Sequence, residues 1–193
     1  MRLIPYSELT AAPWKNGGGE TREIAAFPPG AGFDDFDWRL SIATIAGDGA
    51  FSAFPGIDRT LVLLSGNGVA LQLDDGAEQV LKPGDLLAFA GEQAVRSRLL
   101  DGIVRDLNFM GRRGRATARV DRVALQDRAS LDLGPGGGAV VLRDGRASLP
   151  DGTGLGQGDT ILCDPGRGER VTLTGRADLV VVRFGLGDQP VAG

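Results

Sequence analysis

The chain has 193 residues, 42% hydrophobic and 24% charged, enough to bury one sizeable core or two small fused ones without a disulfide or a metal. Its net charge of −4 offers no general attraction to a phosphate backbone or an anionic membrane, so neither nucleic acid nor membrane is expected as a partner. Cys163 is the only cysteine and there is no histidine, which excludes an intramolecular disulfide and removes both the commonest metal ligand and the usual general base near pH 7.

The start, Met1 to Glu8, has no uninterrupted apolar stretch, and the longest apolar runs, Leu61 to Leu64 and Leu86 to Ala90, are of strand length. A cytoplasmic protein without a signal peptide or membrane span is expected. Its 31 glycines and 10 prolines are dispersed between short β-branched runs, the punctuation of a turn-rich β fold.

In chain order, Pro13-Trp14-Lys15-Asn16-Gly17-Gly18-Gly19 reads as a glycine turn. Its glycines can point several N–H groups at an anion, but no helix follows and the spacing is not that of a phosphate-binding loop. A strand is expected over Thr21 to Phe27. Asp34-Asp35-Phe36-Asp37 lacks the spacing of a Ca²⁺ loop, so no metal and no cofactor are expected. The clearest strand is Phe36 to Ile45, whose alternation puts Trp38, Leu40 and Ile42 on one face and Arg39, Ser41 and Ala43 on the other.

Further strands are predicted over Arg59 to Leu64, Val69 to Leu73, Leu86 to Ala90 and Val104 to Phe109, with turns at Asp74-Asp75-Gly76 and Lys82-Pro83-Gly84-Asp85. The basic run Gly111 to Arg115 reads as a solvated linker, after which the pattern starts again. Leu81 to Leu87 is echoed by Gly156 to Ile161, both carrying Gly-Asp into an apolar strand, and Ile103 to Phe109 is answered at nearly the same offset by Asp178 to Phe184. Cys163, at the end of one of these strands, reads as a small buried hydrophobe.

The Gly-Asp turn followed by an apolar strand, a polar strand and a closing apolar strand resembles the second half of a cupin jelly roll. The expected architecture is therefore all-β, two cupin-like β-barrel (jelly-roll) halves forming a bicupin, with residues 1–112 and 113–193 as the halves. The extreme N-terminal segment is expected to cross and pair with the second sheet, since edge strands need covering.

Four segments in order, Trp14-Lys15-Asn16-Gly17-Gly18-Gly19, Thr21-Arg22-Glu23-Ile24, Phe36-Asp37-Trp38-Arg39-Leu40-Ser41-Ile42-Ala43 and Gly49-Ala50-Phe51-Ser52-Ala53-Phe54-Pro55-Gly56-Ile57-Asp58-Arg59, resemble the HutD/Ves family. The likeness is strong over about residues 13–65, looser through Asp85 and Asn108, and fades beyond. It implies a metal-free bicupin connected with histidine utilisation or stress response, with no established reaction. The positions it carries over include Trp14 to Gly18, Thr21 to Glu23, Trp38, Arg39, Ser41, Phe51, Ser52, Asp58 and Arg59.

Alternation also gathers polar groups toward one lumen. Arg39 shares its face with Ser41, Arg59 with Leu61 and Leu63, and Asp106 with Asn108. The guanidinium groups, with Lys15, Asn16 and the backbone N–H groups about Gly17, would suit a small anionic metabolite such as a carboxylate, and Trp14 would supply a wall. Three readings stay open: a non-catalytic binding or sensory protein, a metal-free isomerase or lyase in which Lys15 or Glu23 moves a proton, and a structural module in which the arginines only form ion pairs. A homodimer is the default expectation.

Overall fold

The computed structural model describes residues 1–166 and 168–187; the end of the expected 113–193 half, residues 188–193, lies outside them. Apart from one 3-10 turn at Tyr6–Glu8, every regular element among the described residues is a strand. The chain forms two compact units, one from Thr10–Arg113 and one from Met1–Leu9 with the chain from Gly114 onward.

The Thr10–Arg113 unit holds β2 (Ala11–Pro13), β3 (Gly19–Phe27), β4 (Trp38–Ile45), β5 (Gly49–Ala50), β6 (Ile57–Ser65), β7 (Val69–Leu73), β8 (Glu78–Leu81), β9 (Leu86–Ala90), β10 (Val95–Leu99) and β11 (Val104–Arg112). They make two antiparallel sheets, β2-β3-β4-β11-β6-β9 and β5-β10-β7-β8. Between the sheets lies a core of Ile45, Leu61, Leu63, Val69, Leu71, Leu81, Phe89, Val95 and Val104. β4 sits in the middle of the larger sheet, and its residues are buried on both faces except at Thr44.

The other unit contains β1 (Arg2–Ile4), β12 (Ala116–Asp132), β13 (Gly138–Ser148), β14 (Gly154–Leu155), β15 (Thr160–Cys163) and β16 (Arg170–Leu186). They form one sheet in the order β1-β15-β13-β16-β12, with β14 on β13. The N-terminal segment crosses as expected: Leu3 pairs with Ile161 and packs on the core of this unit. In the 17-residue strands β12 and β16, Asp127 and Gly175 face each other with positive φ. A Cβ at Gly175 would come 2.4 Å from the Arg146 carbonyl, so only glycine fits there. The core of this unit is apolar, and Cys163 lies within it, burial pushing its thiol up to about 12.

The internal repeat is legible atom by atom. Leu63 and Gly84-Asp85 exchange backbone bonds, Gly84 N–H to Leu63 C=O and Leu63 N–H to Asp85 C=O, and Leu142 exchanges the same two with Gly158-Asp159. In each turn the aspartate carboxylate accepts the N–H three residues upstream, of Lys82 at 2.7 Å and of Gly156 at 2.7 Å. Both glycines have positive φ. Each sheet ends in free edges, so the halves are cupin-like but not cylinders closed by hydrogen bonds.

The basic run at the end of β11 is exposed from Arg113 to Arg115, and the chain divides into its two units between Arg113 and Gly114, but two of its arginines also make specific contacts. Arg112 donates to the carbonyls of Phe36 and Asp34, and Arg113 bridges Asp58 and Glu92. The guanidinium forks tie neighbouring loops together, a use that a charge count cannot reveal.

Candidate functional site

Residues directly opposite each other in antiparallel strands share a face, so the register assembles the site. Across β4, β11 and β6 the rows run Arg39, Met110, Arg59, then Ser41, Asn108, Leu61, then Ala43, Asp106, Leu63. β3 adds Glu23 opposite Ser41 and Thr21 opposite Ala43, and β9 adds Phe89 opposite Arg59. Because Leu61, Leu63 and Phe89 belong to the core between the sheets, this face is the interior of the unit. Arg39, Ser41, Arg59, Asp106 and Asn108 are all buried on it.

The two arginines are treated differently. Arg39 Nε donates to Glu23 at 2.7 Å, and its guanidinium lies 4.7 Å from the centre of the Phe33 ring, so its charge is balanced in place. Arg59, only 7% exposed, has no hydrogen bond or ion pair among the described residues. Its neighbours are three phenylalanine faces, Phe89 at 5.0 Å, Phe51 at 5.3 Å and Phe54 at 5.7 Å. Ring quadrupoles compensate a cation only in part, and burial lowers the Arg59 pKa to about 10, with Asp106 opposing the shift and Arg39 adding to it. At neutral pH the guanidinium is still charged.

Asp106 is 2% exposed; burial raises its pKa to about 7, and the charge of Arg59 opposes the rise. It forms no ion pair with Arg59. Close by on the same face, Ser41 Oγ, Arg59 Nε and Asn108 Oδ1 are buried with no hydrogen-bond partner. Buried polar atoms are nearly always paired, and leaving one unpaired costs about 1–3 kcal/mol. A donor, a hydroxyl, an amide oxygen and a carboxyl on one interior face, none satisfying another, form a set that a small polar molecule would complete.

The glycine turn contributes less than its composition promises. Trp14 lies against the interior core and donates from Nε1 to Thr21 Oγ1 at 2.8 Å. Lys15, Asn16 and Gly17 are exposed at the tip of the β2–β3 hairpin. Asn16 Oδ1 accepts the Gly18 N–H, and the Gly18 carbonyl accepts the N–H groups of Ala46 and Gly47. Gly19 is needed because a Cβ there would come 2.1 Å from the Thr44 carbonyl and 3.1 Å from the Trp14 ring. The turn therefore anchors Trp14 and the neighbouring loop, and does not bring Lys15 or Asn16 to the arginines.

Trp38 also departs from the expected set. It lies on the opposite face of β4 from Arg39, as strand alternation requires, and stacks on Phe27 with ring centroids 6.3 Å apart. Membership of a shared motif placed it in the site; its side chain points the other way. Phe33, Phe54 and Phe89 were not anticipated. Phe54 was readable in the Phe51-Ser52-Ala53-Phe54 segment beside Arg59, whereas Phe89 meets Arg59 only through the pairing of β6 with β9.

Elsewhere, shallow grooves of the other unit run along Gly145 to Ser148, flanked by Thr174 to Arg176 or by Gly154 to Gln157. No cluster of three metal-ligating side chains occurs among the described residues, and no helix is long and apolar enough to cross a membrane.

The model of the HutD family matches residues 6–181. Protein Ves of Citrobacter koseri is 45% identical over 152 residues, which cover 78% of this chain and 77% of that protein. The structure of HutD from Pseudomonas fluorescens SBW25, in a formate condition, matches this fold at a TM-score of 0.80 and 31% identity, covering 95% of this chain and 98% of that one. A cupin 2 conserved barrel protein from Leptotrichia buccalis, 11% identical, shares the fold at a TM-score of 0.59 over 95% of this chain and 96% of that one.

Proposed function

The chain belongs to the HutD/Ves family, and from that premise we propose that it binds a small carboxylate metabolite inside the Thr10–Arg113 unit and acts as a regulatory binding protein in histidine utilisation or stress response. The observation that carries the reading is Arg59, a buried cation with three aromatic neighbours and, among the described residues, no carboxylate in hydrogen-bond contact with it. A carboxylate would supply the missing charge and accept from Nε, and Ser41 and Asn108 would complete its hydrogen bonds. Arg39, already held by Glu23, would frame the ligand and need not carry it. Formate, urocanate and N-formylglutamate are the candidates this chemistry and this family suggest.

A second reading, a metal-free acid–base reaction on the same ligand, is favoured by one observation: Asp106 has a carboxyl tuned to about 7 on the ligand-binding face. In that reading Asp106 takes the role that Lys15 and Glu23 had in the sequence. Lys15 is exposed at the hairpin tip, and Glu23 is engaged by Arg39.

The test is a thermal-shift series with formate, urocanate, N-formylglutamate and glutamate against matched chloride and sulfate. A ligand at about 100 times its Kd stabilises the native state by about 2.7 kcal/mol. A selective rise in Tm with a carboxylate, lost in Arg59→Ala and kept in Arg98→Ala, whose ion pair with Glu78 is on the surface, is the expected result. Equal shifts with all the anions, or a rise unaffected by Arg59→Ala, would refute the proposal.

A further inference from the structure

We infer that the Arg59 site takes up one proton together with its anion, and that Asp106 is the group that holds the proton. The inference rests on the carboxylate reading above and adds its linkage to pH.

Four charged groups meet on one buried face. The charged groups there are Glu23 from β3, Arg39 from β4, Arg59 from β6 and Asp106 from β11. β9 contributes Leu87 and Phe89, and the facing sheet contributes Val69, Leu71, Leu81, Val95 and Ser97, none of which is charged. The β2–β3 hairpin adds only Trp14 to the interior, Lys15 being exposed. Glu23 and Arg39 cancel each other at 2.7 Å, which leaves Arg59 and Asp106.

If Asp106 is ionised, Arg59 is already balanced, and an arriving carboxylate places a second negative charge in a desolvated interior beside the first, where like charges repel strongly. If Asp106 is protonated, the face carries one net positive charge and a carboxylic O–H. The ligand then neutralises Arg59 and accepts a hydrogen bond from Asp106. The proton stays on the Asp106 carboxyl throughout, and no bond is broken.

The ligand-free protein is poised for this. Burial disfavours the ionised form of the Asp106 carboxyl and brings its pKa to about 7. Above that pH the unliganded carboxyl has released its proton and must recover it to bind. Below it the proton is already present.

The test measures formate affinity on the full chain by chemical-shift titration from pH 5.5 to 8.5, a range in which formate itself stays ionised. The expected Kd is nearly flat below about pH 6 and rises toward about tenfold per pH unit above 7, as for one linked proton. In Asp106→Asn, which is neutral at every pH, formate should still bind with a flat profile. A flat wild-type profile, or a slope that survives in Asp106→Asn, overturns the inference while leaving carboxylate binding intact. Absence of formate binding at every pH overturns the inference as stated for formate. The Asp106 Cγ resonance of the ligand-free protein gives an independent readout: a midpoint near 4 overturns the inference whatever binds and whether or not the variant folds, and a midpoint near 7 supports it.

Discussion

At the scale of single residues, the same feature that makes Asp106 a partner for an anion makes it a burden on stability at high pH. Its folded-state pKa is raised to about 7, so between about pH 4 and pH 7 the native state keeps a proton that the unfolded chain has released. Stability therefore falls as pH rises through this window and levels off above it, by on the order of a few kcal/mol for this group. Other carboxylates, among them Asp132, Asp151 and Asp178, are held below their ordinary pKa values, chiefly by hydrogen bonds that oppose the cost of burial, and they act in the opposite sense at lower pH. Comparing variants separates the two. In urea denaturation, Asp106→Asn is expected to gain stability relative to wild type between pH 5 and pH 8; an unchanged difference across that range would mean that Asp106 ionises normally. Arg39, Ser41, Arg59, Asp106 and Asn108 were legible as inward-facing because period-two alternation is a local rule. Which arginine lacks a partner was not legible, since the Glu23–Arg39 pair and the Phe89–Arg59 contact depend on the register between strands, which no single segment shows.

At the scale of elements, turns do what strand patterning cannot. The Gly84-Asp85 and Gly158-Asp159 turns make the same backbone bonds, but Asp159 carries an extra load, since its Oδ1 also accepts the Tyr6 N–H at 2.8 Å while the Tyr6 ring packs over Gly158. That contact helps hold β1 on β15. Asp159→Ala should therefore cost about 1–3 kcal/mol, more than Asp85→Ala, and should speed amide exchange in Arg2–Ile4. Equal costs with no change in exchange at β1 would mean that strand pairing alone holds the segment. The strands Val69–Leu73 and Leu86–Ala90 were read from sequence with their observed bounds, and β3, β4, β6 and β11 within a few residues. β12 was not predicted. Its residues alternate between charged or polar and half-buried apolar positions along an edge of the sheet, and only its partner β16 shows it to be a single strand.

At the scale of the whole molecule, two units with related turns have divergent interiors. The unit completed by Met1–Leu9 fills its interior with leucine, valine, isoleucine and Cys163, whereas Thr10–Arg113 keeps two arginines, an aspartate, an asparagine and a serine in its own. The repeat revealed the common architecture, and the motifs over about residues 13–65 that most resemble the family lie in the unit that carries the polar interior, while the family model spans residues 6–181. Sequence placed Lys15, Asn16 and Trp38 with the arginines because they belong to the same motifs; the hairpin fold of one segment and the alternation of the other keep them apart. The central claim is that Arg59 awaits an anion. Its most direct test is a titration of the full chain, labelled at arginine Nε, with formate, urocanate and N-formylglutamate at pH 6, following each Nε–H resonance. We expect a saturable shift centred on Arg59 with at least one of these carboxylates and none with chloride. An Arg59 resonance that stays unmoved through all three titrations would contradict the account.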